Sequence, residues 1–252
     1  MTAGRGAPTR IDVPAPMDRP AAIAAALGSA GLILRGGFYP TPEDAVPPLA
    51  DGRPARSLLL VGNAGAGFWR AFTESGPDLD GADPLDGWSA RVIAAVAAAH
   101  GADPVFPSQG PPYPPFQRWA LRADAVHRSP IGVLIHPDFG LWHAYRAALL
   151  FAEALPLPAA DDRPSPCDGC AERPCLSRCP VDAFTAGGFA AERCAAHVAS
   201  AAGADCREAG CLARRACPVG RRYRYAPEQA AFHMAKFVVA VQGRTRAKTS
   251  PP

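Results

Sequence analysis

Lysine is nearly missing from this chain. Lys236 and Lys248 are the only two among 26 basic residues, and the net charge of +3 is too small to imply nucleic-acid or membrane binding by itself. The scarcity accompanies an alanine and proline bias that reflects genome composition and says little about function. Long apolar runs are missing as well, since none reaches the roughly 20 residues that cross a bilayer. Cysteine is absent from positions 1–166 and 218–252, so no thiol outside one stretch serves as an ordinary core hydrophobe. No secretory leader is legible, which leads us to expect a reducing cytoplasm and weighs against a disulfide framework. Asn63–Gly67 lacks both the Gly-Lys-Ser/Thr of a phosphate loop and dinucleotide-fingerprint spacing, so a strand-to-helix turn is the plainer reading.

What is present reads as an organised chain. Its 252 residues, 48% hydrophobic, permit one large domain or two small ones. Residues 1–18 mix proline, glycine and arginine without periodicity and are expected to be a disordered tail. Residues 19–160 alternate helix and strand signals, the mark of an α/β fold. Asp18 caps a helix over Arg19–Ser29, followed by a strand at Leu32–Phe38. Ser57–Gly62 is a short apolar run suited to a buried central strand, and Phe68–Glu74 a helix. Leu85–His100 repeats at helical spacing until Gly101; Ala102–Phe106 and Ile131–His136 read as further strands, with a helix running to about Val126 between them. Residues 161–222 form a cysteine segment. Residues 223–242 form a closing helix whose Phe232, Ala235 and Val239 face returns to the α/β domain, and residues 243–252 are expected to be a disordered end.

Two aromatic stretches leave their roles open. Tyr113, Gln117 and Arg118, beside a proline-stiffened loop, suit the wall of a pocket for a planar ligand, or an ordinary packed surface loop. Arg221-Arg222-Tyr223-Arg224-Tyr225 fits docking of an acidic electron donor, or packing and solubility; the short patch and weak charge count against RNA.

All eight cysteines lie in Cys167-x2-Cys170-x4-Cys175-x3-Cys179-Pro180, then Cys194, then Cys206-x4-Cys211-x5-Cys217-Pro218. Such clustering means ligation or crosslinking. Two zinc tetrahedra would use eight thiolates, yet zinc does not call for the prolines after Cys179 and Cys217. The stretch resembles two loosened copies of the bacterial ferredoxin run Cys-x2-Cys-x2-Cys-x3-Cys-Pro, in which the fourth cysteine ligates the other cluster. Proline biases the preceding residue to an extended backbone, which directs its thiol away from the loop. The crossed rule then assigns Cys167, Cys170, Cys175 and Cys217 to one [4Fe-4S] cluster and Cys179, Cys194, Cys206 and Cys211 to a second.

Upstream, His136, Pro137, Phe139, Gly140, Trp142, Ala144 and Arg146 fall at the spacing His-Pro-x-Phe-Gly-x-Trp-x-Ala-x-Arg. This stretch resembles the CblC family of cobalamin-processing proteins, which have a nitroreductase-like sheet with flanking helices. Weaker similarity extends over residues 19–158 and 223–241. The resemblance implies a β-hairpin with strand over Leu141–Phe151, and a corrinoid pocket in which Arg146 lines the cofactor, with His136, Phe139 and Trp142 beside it. The order of α/β domain and cysteine segment is similar to epoxyqueuosine reductase and the reductive dehalogenases. Together these resemblances imply one-electron delivery from two clusters to a bound cobalamin, with an electron donor such as a flavodoxin or ferredoxin reductase as partner. A plain electron carrier, a flavin-dependent reductase and a zinc-stabilised binding module are the alternatives.

Overall fold

Alternating side chains on two neighbouring strands bury both faces of one small sheet, and this sets the architecture. The computed structural model describes residues 19–249 except Asp80, Pro158 and Ala160; the predicted tail over 1–18 lies outside the described residues. Helix α1 (Arg19–Gly28) leads to β1 (Ile33–Phe38) and β2 (Ser57–Ala64), then to helices α2 (Gly67–Glu74) and α3 (Pro84–Ala99). Strand β3 (Asp103–Val105), helix α4 (Phe116–Ala123), the short strands β4 (His127–Arg128) and β5 (Leu134–Ile135), and the long strand β6 (His143–Phe151) complete the sheet domain. The sheet order is β1-β2-β6-β3, with every neighbouring pair antiparallel. The protein is therefore of mixed α and β structure around a small antiparallel sheet.

Leu59, Val61, Ala147, Leu149 and Phe151 pack under α1, α2 and α3, whereas Leu58, Leu60, Ala148 and Leu150 pack against Phe116 and Trp119 of α4. Covering on both sides explains why Ser57–Val61 reads as a continuous apolar run. Pro104 is tolerated in β3 because that strand is the sheet's edge. The expected strand over Ile131–His136 shrinks to Leu134–Ile135, which pairs only with His127–Arg128. Pro130 and the positive φ of Gly132 break the extended run before it. Between Val61 and Gly62 the β2–β6 register slips, so that Ala147 faces Val61, Tyr145 faces Gly62 and Arg146 is left unpaired in a bulge.

The cysteine segment contains helix α5 (Pro174–Ser177), the hairpin β7 (Phe184–Thr185) and β8 (Gly188–Phe189), and helices α6 (Ala191–Ala199), α7 (Ala204–Ala209) and α8 (Leu212–Ala216). Helix α9 (Pro227–Thr249) closes the chain. It continues through Gly243, which corrects the expected disordered end; only residues 250–252 fall outside the description. Its packed face also differs from the expectation, because Val239 is 66% exposed while Ala230 and Val241 are buried. Phe232 meets Trp69 of α2 at 5.1 Å between ring centroids, and the same helix lies along α6 and α7. Helix α9 thus binds both halves of the molecule. Among the described residues no helix is long and apolar enough to cross a membrane.

Candidate metal centres and the interface that holds them

Two short helices interleave the thiols. Helix α5 carries Cys175 and releases the chain to Cys179; helix α8 begins after Cys211 and ends at Cys217, and the two helices pack together. Cys167 and Cys170 belong to one turn, closed by the Cys170 N–H donating to the Cys167 carbonyl at 3.2 Å. Cys194 rides on α6 and Cys206 on α7. Cys217 has φ −59° and ψ 127°, the extended geometry that Pro218 demands, and this swings its thiol back toward the first turn.

The result is two gatherings of four. Cys167, Cys170, Cys175 and Cys217 line one small cavity together with Pro218 and Val219. Cys179, Cys194, Cys206 and Cys211 line another of about 380 Å³, among Phe184, Phe189, Met234 and Phe237. The memberships are those given by the crossed cysteine pattern. All eight thiols are free of disulfides.

Electrostatics follows the same division. Burial raises the Cys167 and Cys175 thiols, and repulsion from Cys217 and other members of the first set adds to it. Burial likewise raises Cys194 to about 12, reinforced by Cys211, Cys179 and Cys206. Backbone N–H groups oppose this locally: those of Arg214 and Ala213 favour a Cys211 thiolate, and that of Val219 a Cys217 thiolate, the latter helped by the charges of Arg221 and Arg224. The Ala183 N–H donates to Cys179 Sγ at 3.3 Å. Crowded thiols of this kind are stable as thiolates only when something positively charged lies among them. Among the described residues, however, no group of three or more His, Cys, Asp or Glu side chains is placed to hold a single metal ion. Four thiolates around one zinc at ~2.3 Å would crowd to roughly 3.8 Å of each other. A cluster of several irons accepts them on separate corners, farther apart. The donor set is soft sulfur throughout, four cysteines lining each of two cavities.

Much of the His136–Arg146 stretch packs toward the cysteine segment. His136, 6% exposed, accepts the Asp138 and Phe139 N–H groups on Nδ1 at 3.0 and 3.3 Å, so its proton sits on Nε2, 3.5 Å from Asp124. Phe139 stacks on His136 at 4.3 Å and meets Tyr223 edge-on at 5.0 Å. Gly140, at φ +59°, approaches the 219–220 backbone so closely that an added Cβ would stand 2.1 Å from the Val219 carbonyl oxygen. Trp142 is 2% exposed and lies under Arg214, which bonds the Leu141 carbonyl and is itself sandwiched between Trp142 and Tyr225 at 4.5 and 4.6 Å. His136, Phe139, Gly140 and Trp142 therefore build the interface between the sheet domain and the cysteine segment. Ile131, Ile135 and Leu141 complete it by packing on Cys175, Ala213 and Cys217.

Arg146, beside Tyr145, borders an opening. It lines a cavity of about 440 Å³ with Asp86, Phe106, Gln109 and Tyr145. Its Nε donates to Asn63 Oδ1 at 3.0 Å, its charge lies 3.6 Å from Asp86, and burial lowers its pKa. Tyr113 is 65% exposed, Gln117 and Arg118 are exposed on α4, and Arg118 bonds the Asp44 carbonyl; the structure does not bring these three to Arg146. The volume of the Arg146 cavity is in the range of small-molecule sites.

Several residues of this interface escaped the sequence reading. Arg35, 3% exposed, lies over both Phe139 and Tyr145 at 4.9 Å and pairs with Asp124 at 2.8 Å. Burial pushes the Asp124 carboxyl up, but His136, Arg35 and the Tyr145 hydroxyl outweigh it and hold it below the usual range. An arginine inside the apolar run Leu32–Phe38 was the available signal. Arg214 and Gly220 gave none, because their partners lie more than 70 residues upstream. Comparison with protein-family models finds none that matches the chain, and comparison with curated proteins finds no match.

Proposed function

We propose that this chain is an iron–sulfur electron-transfer protein carrying two [4Fe-4S] clusters. Cys167, Cys170, Cys175 and Cys217 would hold one and Cys179, Cys194, Cys206 and Cys211 the other, in a ferredoxin-like segment set on a nitroreductase-like α/β domain. The observation that carries the reading is the sorting of eight thiols, by structure and by mutual repulsion, into the two crossed sets. When bound, such clusters supply one-electron redox chemistry over a wide range of potentials. The chain's own contribution is to offset their negative charge and limit their contact with water. Arg221 and Arg224 act on Cys217, N–H groups on Cys179, Cys211 and Cys217, and an apolar wall of Phe184, Phe189 and Phe237 surrounds the second set.

Anaerobic purification tests this directly. About eight irons and eight sulfides, with a broad absorption near 400 nm that bleaches on reduction, are expected; stoichiometric zinc would overturn it. The corrinoid acceptor that the resemblance implies is tested on the same preparation by hydroxocobalamin titration. A second reading, a flavin fed by the clusters, is favoured by the size of the cavity beside buried Arg146. Flavin binding that is lost in Arg146→Ala would support it, and binding of neither cofactor would leave the protein an electron carrier.

A further inference from the structure

An open groove of about 910 Å³ lies on the cysteine segment, away from the sheet domain's cavity. Arg178, Arg215, Arg221 and Arg224 line it against the single carboxylate of Glu172, and Cys170 is part of its surface. Arg215 is paired with Asp205 at 2.5 Å, but among the described residues Arg178 and Arg221 form no ion pair, and both are exposed. Four cations gathered beside a candidate cluster ligand, three of them (Arg178, Arg221 and Arg224) without an ion pair among the described residues, have a meaning beyond solubility. They project a positive field from a place where the first thiol set, at Cys170, reaches the surface.

We propose that this groove is the docking face for an acidic one-electron carrier protein of the flavodoxin type, and that electrons enter at the Cys167–Cys217 set and not at the other. The proposal rests on the iron–sulfur reading given above. It deepens it by fixing the entry point and the charge of the donor. One electron leaves the partner's reduced flavin and one is gained by the iron–sulfur group behind Cys170; no bond forms or breaks, and no proton has to move. The second set is unsuited to this role, because its surroundings are phenylalanine, methionine and valine with little charge to steer an encounter. RNA is disfavoured as the occupant, since no aromatic side chain lines the groove. The tyrosines of the basic stretch are turned inward, Tyr223 onto Phe139 and Tyr225 onto Trp142, so base stacking has no platform.

The test uses the full chain with its clusters, a reduced flavodoxin, and the double variant Arg178→Glu/Arg221→Glu, with Arg178→Gln/Arg221→Gln as a milder companion. Arg221 also acts electrostatically on Cys217, so the first set's potential is measured in all three proteins and rates are compared at matched driving force; dithionite bleaching of equal amplitude shows that their clusters are intact. The expected result is a second-order rate of reduction by flavodoxin that falls about tenfold or more in the double reversal, with a smaller fall in the glutamine variant. The wild-type rate should drop as salt rises from 50 to 300 mM and the reversed variant's should not, because screening acts only on the missing attraction. The dissociation constant for oxidised flavodoxin, measured by calorimetry, should weaken in step. Equal rates and equal affinity in wild type and reversal overturn the groove as docking face. Transfer-RNA binding that is lost in the reversal, with flavodoxin unaffected, overturns it in favour of a nucleic-acid site. Absence of any dithionite bleaching in the wild type instead defeats the underlying iron–sulfur reading.

Discussion

The two thiol sets use the same ligand chemistry in opposite surroundings. Cys167, Cys170, Cys175 and Cys217 lie where the segment meets the sheet domain, with arginines on the solvent side. Cys179, Cys194, Cys206 and Cys211 lie among phenylalanines under α9, where burial raises Cys194 to about 12. The difference teaches how one folded segment gives two sets of identical side chains unlike surroundings. A reduced cluster carries one more negative charge, which nearby cations stabilise and an apolar wall does not. The first set should therefore be the easier to reduce.

The largest effect that separates the sets is loss of a ligand. Cys170→Ala should remove half of the iron and sulfide, leaving the set of Cys179, Cys194, Cys206 and Cys211; Cys194→Ala should do the reverse, and the two remaining spectra should differ. Identical residual spectra, or loss of all iron in both, would abolish the division into independent sites. Next comes the interface. Gly220 has φ +68°, and an added Cβ would stand 2.3 Å from the Phe139 carbonyl, so Gly220→Ala should destabilise the protein by about 3 kcal/mol in urea unfolding. Because Gly220 follows Cys217 closely, iron should be lost from the first set before the second.

Acid should act more gently, and on the sheet side of the interface. Burial lowers His143 to about 3 and His233 to about 4, both well under the free value of 6.5. The unfolded chain binds protons that these folded histidines refuse, so their contribution is intact above pH 6.5 and is lost as pH falls toward 4. About 2 kcal/mol per histidine should disappear between pH 7 and 5, and His233→Gln should flatten the urea midpoint's dependence on pH. The smallest expected effect is on potential. Arg221→Gln should lower the first set by tens of millivolts and leave the second unchanged in an EPR-monitored titration. Equal shifts in both would mean that the charges act on the segment as a whole.

Much of this was legible before any coordinates. The Ser57–Gly62 run and the order of elements in the sheet domain follow from periodicity, while the crossed grouping of the cysteines came from their resemblance to the bacterial ferredoxin run. His136, Phe139 and Trp142 show where the reading ran out. Histidine and aromatics are the residue types that line cofactors, and also those that fill an interface; only the approach of Val219, Gly220, Arg214 and Tyr223 distinguishes the two. The bulge at Arg146 was equally hidden, since strand patterning carries no record of one skipped pairing. Helix α9 outran its expected stop because Gly243 weakens a helix by only about 1 kcal/mol and does not end it.

Helix α9 has a further consequence for the order of events at the ribosome. It follows every cysteine in the chain, yet its Met234 and Phe237 close one side of the hollow around Cys179, Cys194, Cys206 and Cys211. All eight thiols have therefore been synthesised while that side is still open, before the last helix docks against Trp69. Were a cluster to be built there, as proposed, that interval would give the widest access to the second set. The first set, bordering an open groove, has no such deadline.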